Sequence, residues 1–126
     1  MDRDRAAAWL ERYVDAWKSY DRDAIVALFS DNAEYRYEPY DAEPVHGAEA
    51  IAASWVEDER RDEPGTYDAR YDPVAVDGDI VVATGTSTYL DAGGSVDRVY
   101  DNCFVMRFDD EGKCAAFTEW YMKRPR

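Results

Sequence analysis

The carboxylates that could do chemistry in this chain lie in aromatic surroundings. Glu38 stands between Tyr37 and Pro39, directly after a short aromatic segment. A carboxylate held in an apolar pocket is suited to act as a general base, because the loss of water makes it more basic. A carboxylate at the exposed end of a strand is an ordinary surface group. The sequence leaves both interpretations of Glu38 open.

A second carboxylate, Glu119, is predicted to lie beside the amide of Asn102. A hairpin with the four-residue loop 109–112 makes three opposed pairs on one face of the sheet: Tyr100–Tyr121, Asn102–Glu119 and Phe104–Phe117. An amide–carboxyl pair buried among rings can either fix the strand register or hold a ligand oxygen. Glu119 is therefore a candidate acid/base residue or a structural partner of Asn102.

Aromatic residues make up 14% of the chain, with ten Tyr and four Trp. This content favours a cavity lined by aromatic rings over the simpler explanation, which is an aromatic-rich core. The ligand-binding residues predicted for such a cavity are Asn102, Trp17, Tyr35, Trp55, Tyr100, Phe104, Phe117, Tyr121 and His46. His46 is the only histidine, and at a pocket mouth it could shuttle protons or have no role in function.

The residues present do not indicate metal or nucleotide chemistry. One histidine without a Cys/His cluster does not suit a zinc or iron site. The adjacent pair Gly93–Gly94 belongs to a predicted hairpin turn rather than a phosphate-binding loop. We therefore expect no metal and no cofactor. The predicted register also places Cys103 and Cys114 too far apart for a disulfide, so both are expected to be unreactive.

The charge of the chain limits its partners. There are 28 acidic and 15 basic residues, a net charge of −13, which repels nucleic acids and anionic membranes. The N-terminal segment lacks the apolar core of a signal peptide, and no apolar run reaches transmembrane length. We therefore expect a cytoplasmic protein that binds a small apolar ligand or substrate, with no nucleic acid and no membrane as partner.

The spacing of apolar residues predicts the elements that hold these side chains. A first helix is expected over residues 3–20. A second is expected after Asp21, with Phe29 on its core side, and a third is expected from Gly47. One short strand is expected over 33–38, and four more over 66–76, 79–90, 95–108 and 113–122. This order predicts one α+β domain over residues 1–126. Its three helices pack on a strongly curved, mixed or antiparallel sheet that forms a cone-shaped half-barrel.

Four segments carry a family resemblance: RYVDAW, DAIVALFSDNAEY, HGAEAI and FTEWYMKRP. In order and spacing they resemble SnoaL-like proteins of the nuclear-transport-factor-2-like superfamily, which are cystatin-like, cone-shaped barrels. The resemblance covers nearly the whole chain and implies the fold, but this fold hosts many activities and many non-enzymes. It also implies a homodimer through the outer face of the sheet, which includes Val99, Cys103 and Val105.

Within this superfamily the N-terminal third is similar to ketosteroid isomerases. The similarity implies that Tyr13 donates to a developing oxyanion and that Glu38 moves the proton; the alternative for Tyr13 is a core aromatic residue. The second oxyanion donor of the isomerases, a protonated Asp, falls on Phe104, so efficient steroid isomerisation is not expected. Asn102 is the nearest replacement. SnoaL-like polyketide cyclases also use an acid/base residue in the cone, for which Glu119 is the candidate.

Two functions therefore fit the sequence. The first is cofactor-independent proton transfer on a small, largely apolar carbonyl compound, leading to isomerisation or cyclisation. Glu38, Tyr13 and Glu119 are its candidate catalytic residues. The second is a module of the same fold that binds a ligand or forms a dimer without chemistry.

Overall fold

Three helices and six strands follow one another in an α+β order. The computed structural model describes residues Met1–Arg126. The elements are α1 (Arg3–Ser19), α2 (Arg22–Val26), β1 (Phe29–Arg36), β2 (Val45–His46), α3 (Ala48–Val56), β3 (Tyr67–Asp77), β4 (Ile80–Leu90), β5 (Val96–Phe108) and β6 (Cys114–Lys123). None of the helices has the length and apolar character needed to cross a membrane.

The first helix is defined by its caps and its apolar stripe. The Asp2 carboxylate accepts a hydrogen bond from the backbone N–H of Arg5 (2.8 Å), which satisfies a donor that the first turn leaves free. The helix ends at Tyr20, which has the left-handed φ of 51° and donates its backbone N–H to the carbonyl of Ala16. Trp9 and Tyr13 lie on the buried face, so α1 contributes rings to the interior.

The sheet is mixed and open, as predicted. Its strand order is β2-β1-β6-β5-β4-β3. Only β1 and β6 pair in parallel, while all other neighbours are antiparallel. The helices cover the concave face, and the sheet does not close on itself. The predicted half-barrel fold is confirmed.

The first strand begins and ends earlier than predicted. Phe29, expected on the core side of a helix, is the first residue of β1 and is fully buried. The strand stops at Arg36, so Glu38 lies beyond it rather than at its end. His46, which directly precedes the third helix predicted from Gly47, belongs to the two-residue strand β2, which pairs with β1 through Glu34. Tertiary pairing, which single-sequence patterns do not report, sets these limits.

The predicted register of the last hairpin is wrong by two residues. Asp109 organises a longer turn, because its carboxylate accepts hydrogen bonds from the backbone N–H groups of Glu111 and Lys113 (2.9 Å each). A bulge follows the turn. The pairs that result are Tyr100–Lys123, Asn102–Tyr121, Phe104–Glu119, Met106–Phe117, Phe108–Cys114 and Cys103–Trp120. A shift of two keeps every side chain on its predicted face, since side chains alternate along a strand.

The outer face of the sheet carries apolar residues. Val99, Cys103 and Val105 are half-buried there, and Trp120, opposite Cys103, is 45% exposed. Cys103 and Cys114 are both free thiols. The homodimer expected through this face stays a prediction.

The closed end of the cone is packed solid with rings. All four Phe residues are at most 2% exposed, and Trp9 contacts three of them: Phe29, Phe108 and Phe117. The indole N–H of Trp9 donates to the carbonyl of Leu28 (3.0 Å), so its polar atom is satisfied inside the core.

Candidate functional site

A cavity of about 320 Å³ occupies the open end of the cone. Eight of the twelve predicted site residues line it: Tyr13, Trp17, Tyr35, Trp55, Tyr100, Asn102, Glu119 and Tyr121. Its volume is at the lower end of the range found for small-molecule sites. The full lining brings together residues from α1, α3 and five strands.

The other four predicted residues lie outside the lining. Phe104 and Phe117 are 1% exposed and belong to the packed core beneath the cavity. The side chain of His46 is 65% exposed on the edge strand β2, with its Nδ1 atom 4.0 Å from a carboxylate oxygen of Glu34. Glu38 lies on a bend at the rim.

Eleven lining residues were not predicted: Tyr20, Tyr37, Ser54, Asp58, Arg60, Arg61, Asp62, Tyr71, Ser87, Tyr89 and Arg98. Strand alternation could have found three of these, because Ser87 and Tyr89 share a face with the buried Val81, and Tyr71 follows the alternation of β3. Residues 58–62 carry no such signal, since they belong to an irregular segment that reads as a solvated charge run.

Glu38 holds a ring at the rim of the cavity. The phenol of Tyr121 donates a hydrogen bond to Oε1 of Glu38 (2.9 Å), and the backbone N–H of Glu38 donates to the Asp41 carboxylate (3.2 Å). The bond to Glu38 is the main reason that the pKa of Tyr121 rises to about 12. Glu38 thus positions a lining residue, but it is not itself part of the lining.

Glu119 is the one carboxylate of the cavity lining that a strand of the sheet supplies. Its Oε2 atom accepts a hydrogen bond from the amide Nδ2 of Asn102 (2.9 Å), and its Oε1 atom has no partner within the protein. Burial raises the pKa of Glu119 to about 7; the bond from Asn102 opposes this rise and the charge of Glu38 adds to it. Glu119 can therefore hold or release a proton near neutral pH.

The side chains of Asn102 and Glu119, which were predicted to pair, meet as diagonal neighbours on the sheet. Asn102 lies directly opposite Tyr121 and Glu119 directly opposite Phe104, but their side chains still meet because diagonal neighbours on one face are within reach of long side chains. The contact was predicted correctly from an incorrect register.

A one-way chain of hydrogen bonds ends on Glu119. The hydroxyl of Ser87 donates to Oδ1 of Asn102 (2.9 Å), so the hydroxyl of Tyr71 must donate to Ser87 (2.6 Å). The Asn102 amide then donates to Glu119. Three consecutive donors thus orient the carboxyl group, and the phenol oxygen of Tyr71 keeps its free acceptor capacity toward the cavity.

Gly85 makes room for this chain. A Cβ atom at Gly85 would lie 1.9 Å from the backbone oxygen of Arg70 and 2.6 Å from Cδ1 of Tyr71. No side chain fits between β3 and β4 at this point, so glycine is required for the close approach that places the Tyr71 ring over the sheet.

Tyr13 and Tyr35 supply a hydroxyl donor on another wall of the cavity. Their phenol oxygens are 2.8 Å apart and both rings are buried. Burial raises the pKa of both phenols well above the usual range, and the Glu119 charge adds to the rise, so both stay protonated. One proton bridges the pair, and the other is free to bind a ligand oxygen.

The family model described as SnoaL-like domain matches residues 10–117. The chain belongs to the SnoaL-like domain family. Together with the fold, this places the SnoaL-like chain in the nuclear-transport-factor-2-like superfamily of cone-shaped α+β domains. No curated protein matches the sequence.

Solved structures share the fold of this SnoaL-like domain at low sequence identity. A structure of an M. tuberculosis LEH-like epoxide hydrolase matches with a TM-score of 0.65 and 17% identity, over 94% of this chain and 83% of that chain. A protein of unknown function with a cystatin-like fold from Methylobium petroleophilum PM1 matches with a TM-score of 0.66 and 18% identity, over 100% of this chain and 80% of that chain. At these identities the likeness shows the fold alone.

The SnoaL-like chain positions no group of three or more His, Cys, Asp or Glu side chains that could hold a metal ion. The polar groups that line the cavity include the carboxyl groups of Glu119, Asp58 and Asp62, phenol hydroxyls, the amide of Asn102 and three arginines.

Proposed function

We propose that this SnoaL-like domain moves a proton next to the carbonyl group of a small, largely apolar ligand, without a cofactor. The position of Glu119 carries the proposal: the residue lines the cavity, its Oε1 atom has no hydrogen-bond partner within the protein, and burial raises its pKa to about 7. A base of this strength, beside phenol donors, is suited to enolisation.

Each polar group at the cavity has a role in this reaction. Glu119 takes the proton from the carbon next to the carbonyl, and the electron pair of the broken C–H bond moves onto the carbonyl oxygen. The free hydroxyl proton of the Tyr13–Tyr35 pair binds that oxygen as it becomes negative. Returning the proton at another carbon completes an isomerisation. Attack of the new carbon nucleophile on a second carbonyl group completes an aldol cyclisation.

We assign the base to Glu119 rather than to Glu38 because only Glu119 lines the cavity. Asn102 is a positioning residue in this scheme, since its amide donates to Glu119 and its oxygen accepts from Ser87. The resemblance to ketosteroid isomerases supports Tyr13 as a donor.

The proposal is tested by proton exchange, which needs no knowledge of the natural substrate. Cyclic ketones and 1,3-diketones are incubated with the protein in D₂O, and loss of the α-proton signal is followed by ¹H NMR. We expect the Glu119→Gln variant to lose at least about 100-fold in exchange rate, as is typical of a general base. Glu38→Gln is the matched control and stays within about threefold of wild type.

The pH dependence provides a second criterion. Only the ionised carboxylate accepts a proton, so the exchange rate rises with pH through about 7 and then levels off. Exchange by Glu119→Gln at the wild-type rate would refute the assignment. Loss of exchange in Glu38→Gln alone would return the role to Glu38.

Ligand binding without chemistry is the second candidate function. The bond between Glu119 and Asn102 also joins β6 to β5, as a purely structural pair would. Quenching of Trp17 and Trp55, which both line the cavity, reports binding directly. Ketones that quench this fluorescence but exchange no faster than in buffer would favour this candidate.

A further inference from the structure

We propose that the ligand of this domain carries a carboxylate, which Arg98 and Arg61 bind at the mouth of the cavity. The inference deepens the proposed function and rests on it for the other end of the ligand, whose carbonyl group lies at Glu119. The substrate class that follows is a small apolar keto acid.

Two arginines at the mouth are held in place by tyrosine rings. The guanidinium carbon of Arg98 lies 4.1 Å from the centre of the Tyr89 ring, and that of Arg61 lies 5.1 Å from the centre of the Tyr20 ring. A guanidinium group stacked on a ring is fixed in orientation, while its N–H groups point outward in the ring plane. Arg98 comes from the sheet and Arg61 from the segment after α3, and both line the same cavity.

Most donors of these two side chains are free. Arg98 donates from Nη1 to a carboxylate oxygen of Asp97 (3.0 Å), and Arg61 donates from Nη1 to the carbonyl of Val56 (2.8 Å). A guanidinium group has five N–H donors, so most donors of each arginine are not used by these bonds. Asp97 is also bound by Arg126 (2.7 Å), so it is shared and does not fully neutralise Arg98.

The charge balance at the mouth differs from that of the whole chain. The cavity is lined by three arginines, Arg60, Arg61 and Arg98, and three acids, Asp58, Asp62 and Glu119, so its formal charge is zero when Glu119 is ionised. The chain as a whole has a net charge of −13. An anionic ligand therefore meets less repulsion at the cavity than elsewhere on the molecule, and the bidentate geometry of a carboxylate matches a guanidinium edge.

The position of the arginines fits the distribution of polarity along the cavity. The buried chamber holds Glu119 and the Tyr13–Tyr35 pair, which suit a carbonyl group, and the tyrosine walls suit an apolar body. The side chain of Arg98 is 34% exposed. A ligand carboxylate bound to it therefore loses only part of its hydration and keeps contact with water on its outer side.

The test compares ligands that differ only in charge. 4-Oxo-4-phenylbutanoate and its homologues with one and two more methylene groups are titrated against the wild-type protein, each beside its methyl ester, with tryptophan quenching as the signal. We expect at least one carboxylate to bind about tenfold or more tightly than its ester, about 1.4 kcal/mol. In Arg98→Gln this preference falls below about threefold, and Arg98→Lys restores part of it.

Control variants separate this inference from the catalytic one. Arg107→Gln removes an exposed arginine outside the cavity and keeps the full preference. Glu119→Gln keeps the preference and loses proton exchange. If Glu119→Gln exchanges protons normally while the preference still depends on Arg98, the proposed function fails and the carboxylate site stands.

The carboxylate site is overturned by either of two results. The first is that no chain length binds more tightly as acid than as ester, which includes the case that none binds. The second is that Arg98→Gln and Arg61→Gln, each shown to be folded by circular dichroism, both retain the wild-type preference.

Discussion

The closed and open ends of the cone are built from different aromatic residues. All four Phe residues are buried at the closed end, and none of them lines the cavity. Eight of the ten Tyr residues line the cavity at the open end. The two ring types differ by one hydroxyl group, which fills no space that packing needs but requires a hydrogen-bond partner when buried.

The same elements supply both ends, one step apart. On α1, Trp9 packs in the core and Tyr13, one turn later, reaches the cavity. On β6, Phe117 packs in the core and Glu119, the next residue on that face, carries the candidate base. A site can thus be added to a packed core by changing the residue type at the next inward position, without a change in backbone.

The largest difference between the two ends is expected in stability. Phe117→Ala removes a ring that stacks on Tyr35 at 4.4 Å and lies 4.7 Å from Phe104, so it leaves a cavity in the core. We expect the free energy of unfolding to fall by about 3–5 kcal/mol in urea denaturation. Tyr121→Ala, on the same strand and face but 49% exposed, should lower it by about 1 kcal/mol or less. Equal losses would mean that the open end is packed as tightly as the closed end.

A smaller difference is expected from the buried carboxyl group. The pKa of Glu119 rises from 4.5 to about 7 on folding, so between these values the folded protein holds a proton that the unfolded chain has released. Stability therefore decreases as pH rises through this window, by at most about 3 kcal/mol, and is constant above it. Glu119→Gln lacks this loss.

The comparison is made by urea denaturation of both proteins at pH 4.5 and pH 8. The difference in unfolding free energy between wild type and Glu119→Gln should change with pH. Glu38→Gln should retain most of the wild-type pH dependence, because the charge of Glu38 makes the smallest of the contributions to the pKa of Glu119. A difference between wild type and Glu119→Gln that stays constant with pH would contradict the burial of this carboxyl group.

The smallest effect concerns a single hydroxyl at the open end. Tyr71→Phe removes the first donor of the chain that ends on Glu119 and is expected to lower the free energy of unfolding by about 1 kcal/mol. Tyr89→Phe is the control, because the Tyr89 hydroxyl makes no hydrogen bond within the protein; it should change stability by less than about 0.5 kcal/mol. Equal effects in thermal or urea denaturation would show that the hydrogen-bond chain adds no stability.

The sequence predicted the fold and the inward-facing side of each helix and strand, because both follow from the local spacing of apolar residues. Asn102, Phe104 and Met106 point inward as alternation requires, and a register error of two residues left that result unchanged. The pairing of Asn102 with Glu119 was found for the same reason.

The rest of the site depends on long-range contacts that no local pattern reports. The position of Glu38 depends on where β1 ends, and that end is set by pairing with β6 and β2. Arg60 and Arg61 reach the mouth because their segment is anchored through the backbone N–H of Asp62, which donates to the hydroxyl of Tyr20, 42 residues earlier (3.1 Å). A charge run in sequence thereby becomes part of a cavity rim.

The parallel pairing of β1 with β6 joins segments that are far apart in the chain. Residues 29 and 114 are partners in this ladder, so the contact closes a long loop. Closing so long a loop slows folding, because its entropy is lost before the contacts form. Tyr35 of β1 and Glu119 of β6 both line the cavity. The complete cavity therefore exists only where this long-range pairing has formed, so a ligand that binds it stabilises the paired state of β1 and β6.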